Sequence, residues 1–183
     1  TKTIKRLYYY IVNRFFYFYS YMKNTIIIVA IISTGIMSGI FFTWTNAVKP
    51  GIGTLNNISY LTAFKAMNKA ILNPLFYITF ILPVLTMPIS AYMNYGSPNF
   101  YVFKLLLAST LIYLFGVFIV TINGNIPINV LLENTDLQKI SETELSSLRE
   151  NIETKWNNFN LIRTISSFIS FSLLVFCLFK YYE

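Results

Sequence analysis

The sequence predicts an all-α fold: a four-helix membrane bundle with a helical cap on one face. Three observations predict it. Only 11% of the 183 residues are charged, 55% are hydrophobic and the mean hydropathy is +0.56, whereas soluble domains carry about 25% charged residues. Four apolar stretches each supply the roughly 20 residues needed to cross a hydrocarbon layer about 30 Å thick. With four crossings, the two longer polar connections, 49–72 and 122–158, share one side of the membrane, where they form the cap.

The first span is expected at about 24–48, "NTIIIVAIISTGIMSGIFFTWTNAV". Within it, Gly35 and Gly39 flank Ser38 in "GIMSG", a small-residue spacing that lets helices approach closely, within the bundle or in a dimer. The second span, about 74–93, opens on Asn73-Pro74, an N-cap followed by an N1 proline. Its Pro83 and Pro88 predict kinks. The third, about 100–121, is followed by Gly124, read as a C-terminal stop. The fourth, about 159–179, is preceded by "SETE" at 141–144, a capping box opening a polar helix that runs on into the span. Lys104 and Arg163 interrupt the spans near their ends, where long cationic side chains snorkel. Between the first two spans, Leu61, Phe64, Asn68 and Ile71 fall at helical spacing in "SYLTAFKAMNKAIL", an amphipathic helix on the cap face.

Residues 1–21 stand apart from the four-span domain at 22–183. They form a basic-aromatic segment ahead of "MKNTIIIVAIISTG". It reads either as a surface helix or as an in-frame extension foreign to the native protein. Lys2, Lys5, Arg6, Arg14 and Lys23 beside the first span point to membrane topology, not to nucleic acid. Over the whole chain, Lys and Arg divide seven against seven between the two sides; Lys23, abutting the first span, favours termini on the inner side. A multi-pass location in a bacterial inner membrane is expected, with the lipid bilayer as the principal partner.

Residue types exclude several chemistries. Histidine is absent and Cys177 is the single cysteine, so zincin-type zinc, bis-histidine haem, a Ser-His-Asp triad and cysteine-held clusters are ruled out. No metal and no cofactor is expected. No carboxylate lies in a span, which argues against a proton-coupled pump.

One polar constellation remains. In "KWNNFNLIRT", Trp156, Asn160 and Arg163 share a helix face. Pro127 in "NGNIPIN" disfavours helix at Ile126, which places Asn125 and Asn129 on non-helical backbone that must be satisfied at membrane depth. These asparagines are expected to gather around Arg163 with Asn160. The cluster is either a latch tying the connection to the fourth span or a pocket for a small lipophilic ligand. A pocket requires a hollow between Arg163 and residues 123–129.

The stretches "SGIFFTWTNAVKPGIGTL", "AMNKAILNPLF", "GVFIVTINGNIPINVLL" and "KWNNFNLIRT" in that order, over about 38–165, resemble the anthrone-oxygenase-like family of small four-span membrane proteins. Asn125, Pro127 and Asn129 match its Asn-x-Pro-x-Asn motif; Trp156, Asn160 and Arg163 match the series entering the last span; Asn68, Asn73 and Pro74 match the region between the first two. The resemblance implies a ligand site at Asn68, Asn125, Asn129, Trp156, Asn160 and Arg163. It also implies cofactor-independent oxidation of anthrones by dioxygen as a family activity. Relatives often carry a histidine where this chain has Leu161. Three functions follow as expectations: a binder of a small lipophilic ligand; a cofactor-independent oxidoreductase on phenolic or anthrone-like compounds; or a structural subunit of a homo-oligomer or larger membrane complex.

Overall fold

A computed structural model describes residues 2–96 and 99–181, and within them every regular element is helical. Helix α1 (Lys2–Thr43) continues through a π-helical stretch, Trp44–Val48, into the short α2 (Lys49–Gly53). Helix α3 (Asn57–Ile71) crosses the cap, and α4 (Pro74–Met93) returns through the bundle. Helix α5 (Phe100–Tyr113) runs through two π stretches, Leu114–Ile119 and Thr121–Asn125, into α6 (Ile126–Asn134). The 40-residue α7 (Glu142–Tyr181) closes the fold. Four helical runs, beginning at Arg6, Pro74, Phe100 and Glu142, are long and apolar enough to cross a membrane.

The expected start signals operate as chemistry predicts. The Asn73 side chain accepts a hydrogen bond from the Phe76 amide at 3.0 Å, so Pro74 opens α4 with one orphan donor satisfied. At the start of α7 the Ser141 amide and hydroxyl both donate to Glu144 Oε2 at 2.7 Å, and the Glu144 amide returns a bond to Ser141 Oγ. These donors hold the Glu144 carboxyl below its usual range. In α3, Leu61 and Phe64 are fully buried as their spacing requires.

Three expectations are corrected. Gly124 does not stop the third span, and residues 125–129 are not irregular: the helix continues to Asn134, with Asn125 at φ −75° and ψ −42°. Pro127 sits directly after the π stretch Thr121–Asn125, where the helical hydrogen-bond pattern changes register. Arg163 does not snorkel; it is 5% exposed. Helix α4 keeps its continuity with Pro83 and Pro88 in its interior, which is compatible with a kink at either. Residues 2–21 are helical and continuous with the first span, and Tyr19 donates to the Met93 carbonyl at 3.2 Å at the end of α4.

The four long helices pack as a ring: α1 on α4, α4 on α5, α5 on α7 and α7 on α1. Their interior holds one apolar cluster that includes Met37, Phe41, Met87, Leu106 and Val117. Gly35 closes the α1–α7 contact: a Cβ there would come within 2.9 Å of the Phe171 ring. A second cluster, with Leu61, Phe64, Leu132, Ile152 and Trp156, joins α3 and α6 to the polar half of α7. Arg149 clamps this cap to the end of α2. Its guanidinium donates to the Gly53 and Leu55 carbonyls at 2.8 and 2.6 Å, pairs with Glu153 at 3.0 Å and covers the Tyr60 ring at 4.5 Å. Outward-facing Leu75, Ile78, Phe115 and Phe168 are exposed, as a lipid-facing surface demands.

Candidate functional site

The inward face of α7 carries a polar series inside an apolar bundle. Trp156, Asn160, Arg163, Thr164, Ser167 and Ser170 are all buried, at spacings that place them on one side of an α-helix. Arg163 is the focus. One terminal nitrogen donates to Asn160 Oδ1 at 2.9 Å, the other to Thr121 Oγ1 at 3.4 Å. The guanidinium lies 4.5 Å from the centre of the Phe41 ring and 5.1 Å from that of Trp156, two cation–π contacts that recover part of its lost hydration. Asn160 is positioned in turn by donating to the Phe41 carbonyl at 3.2 Å and to Thr45 Oγ1 at 3.0 Å.

The facing run of α5 and α6 explains why "NGNIPIN" looks as it does. Ser109, Tyr113, Val117, Thr121, Asn125 and Asn129 recur every four residues, and all but the partly buried Asn129 are fully buried. In a pure α-helix a step of four residues turns about 400°, so the face would drift about 40° per step. The two π stretches at 114–125 hold more residues per turn. They absorb that drift and keep one straight column against α7. The rungs are bonded in order: Ser109 with Ser170 at 3.0 Å, Thr121 with Arg163, the Asn125 amide to the Trp156 carbonyl at 3.3 Å, and Trp156 Nε1 to Asn129 Oδ1 at 2.8 Å. Asn68 reaches Asn129 from the cap at 3.2 Å. The third π stretch, Trp44–Val48, lies on the other side of the same centre and contributes Thr45. All three widened stretches therefore pack on α7.

The centre is electrostatically incomplete. Every acid with a described position lies between Glu133 and Glu153, and among the described residues Arg163 has no carboxylate partner. A buried cation without one is costly. Three buried polar atoms near it make no hydrogen bond: Arg163 Nε, Tyr113 Oη and Asn125 Oδ1. The best-formed hollows lie elsewhere, about 410 Å³ beside Lys65 and Asp136 and about 420 Å³ beside Arg6 and Tyr9. The rings of Phe41 and Trp156 lie against the guanidinium, 4.5 and 5.1 Å from it.

The anthrone oxygenase family model matches residues 15–173. The chain belongs to the anthrone oxygenase family. Neither a curated protein nor a solved structure matches it. Of the residues that the family motif singles out, Asn160, Arg163 and Trp156 meet directly. Asn125 and Asn129 sit one and two turns above Thr121, bound to Trp156 and not to the guanidinium, and Asn68 is a further step away. The expected solvation of Arg163 by Asn125 and Asn129 is thus corrected: Thr121 and Asn160 solvate it. Sequence reasoning missed Phe41, Thr45, Thr121 and Tyr113. Hydrogen-bonding side chains every four residues from Ser109 to Asn129, interrupted only at Val117, were the available signal for Tyr113 and Thr121.

The rung between Trp156 and Asn129 is open to direct measurement. Trp156→Phe keeps the ring and removes the donor; Asn129→Leu removes the acceptor. In a double-mutant cycle followed by thermal unfolding in detergent, we expect a coupling of about 1 kcal/mol. Additive effects would contradict the bond.

Proposed function

We propose that this member of the anthrone oxygenase family binds a lipophilic phenolic compound within the bilayer, its oxygen held by Arg163. One observation carries the reading: a buried guanidinium among aromatic rings has no carboxylate partner and keeps its Nε donor unpaired. An acidic phenol supplies what the centre lacks, an oxygen that carries or shares negative charge. It also brings a flat ring of the kind that Phe41 and Trp156 already present to the guanidinium. We take the bilayer to be a bacterial inner membrane, which suits a chain built of apolar helices.

Oxidation of the bound compound is the second reading, favoured by the family's name. An anthrone and dioxygen balance to an anthraquinone and water. The step first requires loss of a ring C–H proton and stabilisation of the resulting phenolate-like anion. Arg163 suits the stabilisation; no group with a described position at the centre is a strong base. Leu161, where relatives often have histidine, is 47% exposed and lies off the Arg163 face, so this departure leaves the centre's geometry unchanged.

The test is a titration of the detergent-purified protein with 1-hydroxyanthraquinone, followed by tryptophan fluorescence. Trp156 lies against the guanidinium, so saturable quenching is expected. An oxygen electrode with a hydroxyanthrone then separates the two readings: binding without dioxygen uptake leaves a binder, and catalysed uptake establishes an oxidase. No saturable binding at all would refute both.

A further inference from the structure

We propose that Tyr113 is a ligand-binding residue, whose hydroxyl and Arg163 Nε act as paired donors to the ligand's oxygen. This rests on the reading of Arg163 as a binding centre and adds a residue that neither the family motif nor the polar sequence clusters contain.

The argument comes from the column of rungs. Below Tyr113, Ser109 and Ser170 are doubly bonded: Ser109 Oγ donates to the Ser170 carbonyl at 2.9 Å, and Ser170 Oγ donates to the Ser109 carbonyl at 2.6 Å. Above it, Thr121 engages Arg163. Tyr113 falls between these two bonded rungs on the same buried face. It is 0% exposed, yet its hydroxyl has no partner. Helix α7 offers it nothing at that level, since Ser167 Oγ is turned to the Thr164 carbonyl at 3.1 Å.

An unpaired buried hydroxyl is a net cost, one that phenylalanine at the same position would avoid. A bundle that needed only packing here has no use for the oxygen. Two unpaired buried donors facing the same α5–α7 seam are explained together if an acceptor joins them during function. The chemistry of that acceptor follows from the donors. Both donate, one carries charge, and the surroundings are apolar and aromatic; the fit is a carbonyl or phenolate oxygen on a ring system. A carboxylic acid with a long alkyl chain would satisfy the donors but leave the aromatic rings unused.

The experiment compares Tyr113→Phe with wild type in the full detergent-purified chain, using two probes: 1-hydroxyanthraquinone, which has oxygens, and anthracene, which has none. We expect about tenfold weaker binding of the hydroxyquinone, no change for anthracene, and a ligand-free protein at least as thermally stable as wild type. Equal affinities of the two proteins for the hydroxyquinone would overturn the role of Tyr113 while leaving the Arg163 centre standing. A fall of several degrees in the melting temperature of ligand-free Tyr113→Phe would also overturn it, because the hydroxyl would then be bonded inside the resting protein. If wild type binds neither probe, the Arg163 reading falls, and this inference with it.

Discussion

Arg163→Leu is expected to abolish binding of 1-hydroxyanthraquinone while changing unfolding free energy by no more than about 2 kcal/mol. The two effects separate because the guanidinium is badly placed for a stabilising role. Leucine loses the bonds to Asn160 and Thr121 and the contacts with the Phe41 and Trp156 rings. It also relieves the cost of holding a charge away from water with no carboxylate opposite. Replacing buried ions by apolar side chains is often neutral or stabilising for this reason. A latch predicts the reverse: Asn160 and Thr121 left without their donor, the α5–α7 seam loosened, and thermal stability collapsing together with any binding. Arg163→Lys refines the test. Lysine keeps the charge, but it lacks the planar fork that bonds Asn160 and Thr121 simultaneously and stacks poorly between rings. We expect it to bind the quinone more weakly than wild type and more tightly than the leucine variant. A lysine variant that binds no better than Arg163→Leu would show that geometry, not charge, holds the ligand.

How much of this was legible beforehand depends on which physical signal each element sends. Hydropathy over about 20 residues is strong, and it placed α4 at 74–93, where it is found. Local capping chemistry is also self-contained: Asn73 and Ser141–Glu144 act through neighbours three residues away, so their roles could be read from spacing alone. The centre around Arg163 was half legible. The residues on α7 share an ordinary α-helical face, so Trp156, Asn160 and Arg163 were grouped correctly. The opposite wall was not, because Pro127 signals a break in the helix that carries it, and the π stretches that keep its column straight leave no mark in the sequence. Thr121, Asn125 and Asn129 fall four apart, one face of any helix, but Pro127 looks like a break that removes the helix from under them. No local pattern distinguishes a π stretch from the end of a helix. The close fit against Ser166, Phe159 and Thr164 that accompanies the widening involves residues about 35 to 120 positions away. Phe41 was hidden for a simpler reason: its ring serves both as apolar filler and as a face for the guanidinium, and composition shows only the first.

The seam that holds this wall in place yields the second large effect. Gly116→Ala is expected to destabilise the protein by about 3 kcal/mol and to weaken quinone binding as well. A Cβ at Gly116 would sit 2.5 Å from Ser166 Cβ and closer still to its Oγ. Rotating the serine removes only the second clash; the first requires α5 and α7 to separate. Separation strains the rungs on either side of the contact, Ser109–Ser170 and Thr121–Arg163, which is why binding should fall with stability. Gly39→Ala is the control. It lies in α1 with nothing within 4 Å of a new Cβ, so alanine there should gain up to about 1 kcal/mol of helix propensity. The decisive variant is the pair Gly116→Ala with Ser166→Gly, which moves the missing side chain from one helix to the other. If close packing of these two surfaces sets the geometry of the centre, the pair should recover most of the lost stability and the quinone affinity with it. Recovery of stability without affinity would mean that Ser166 has its own part in the site. Failure to recover either would mean that α5 needs glycine at 116 for the π turn itself rather than for the approach of α7.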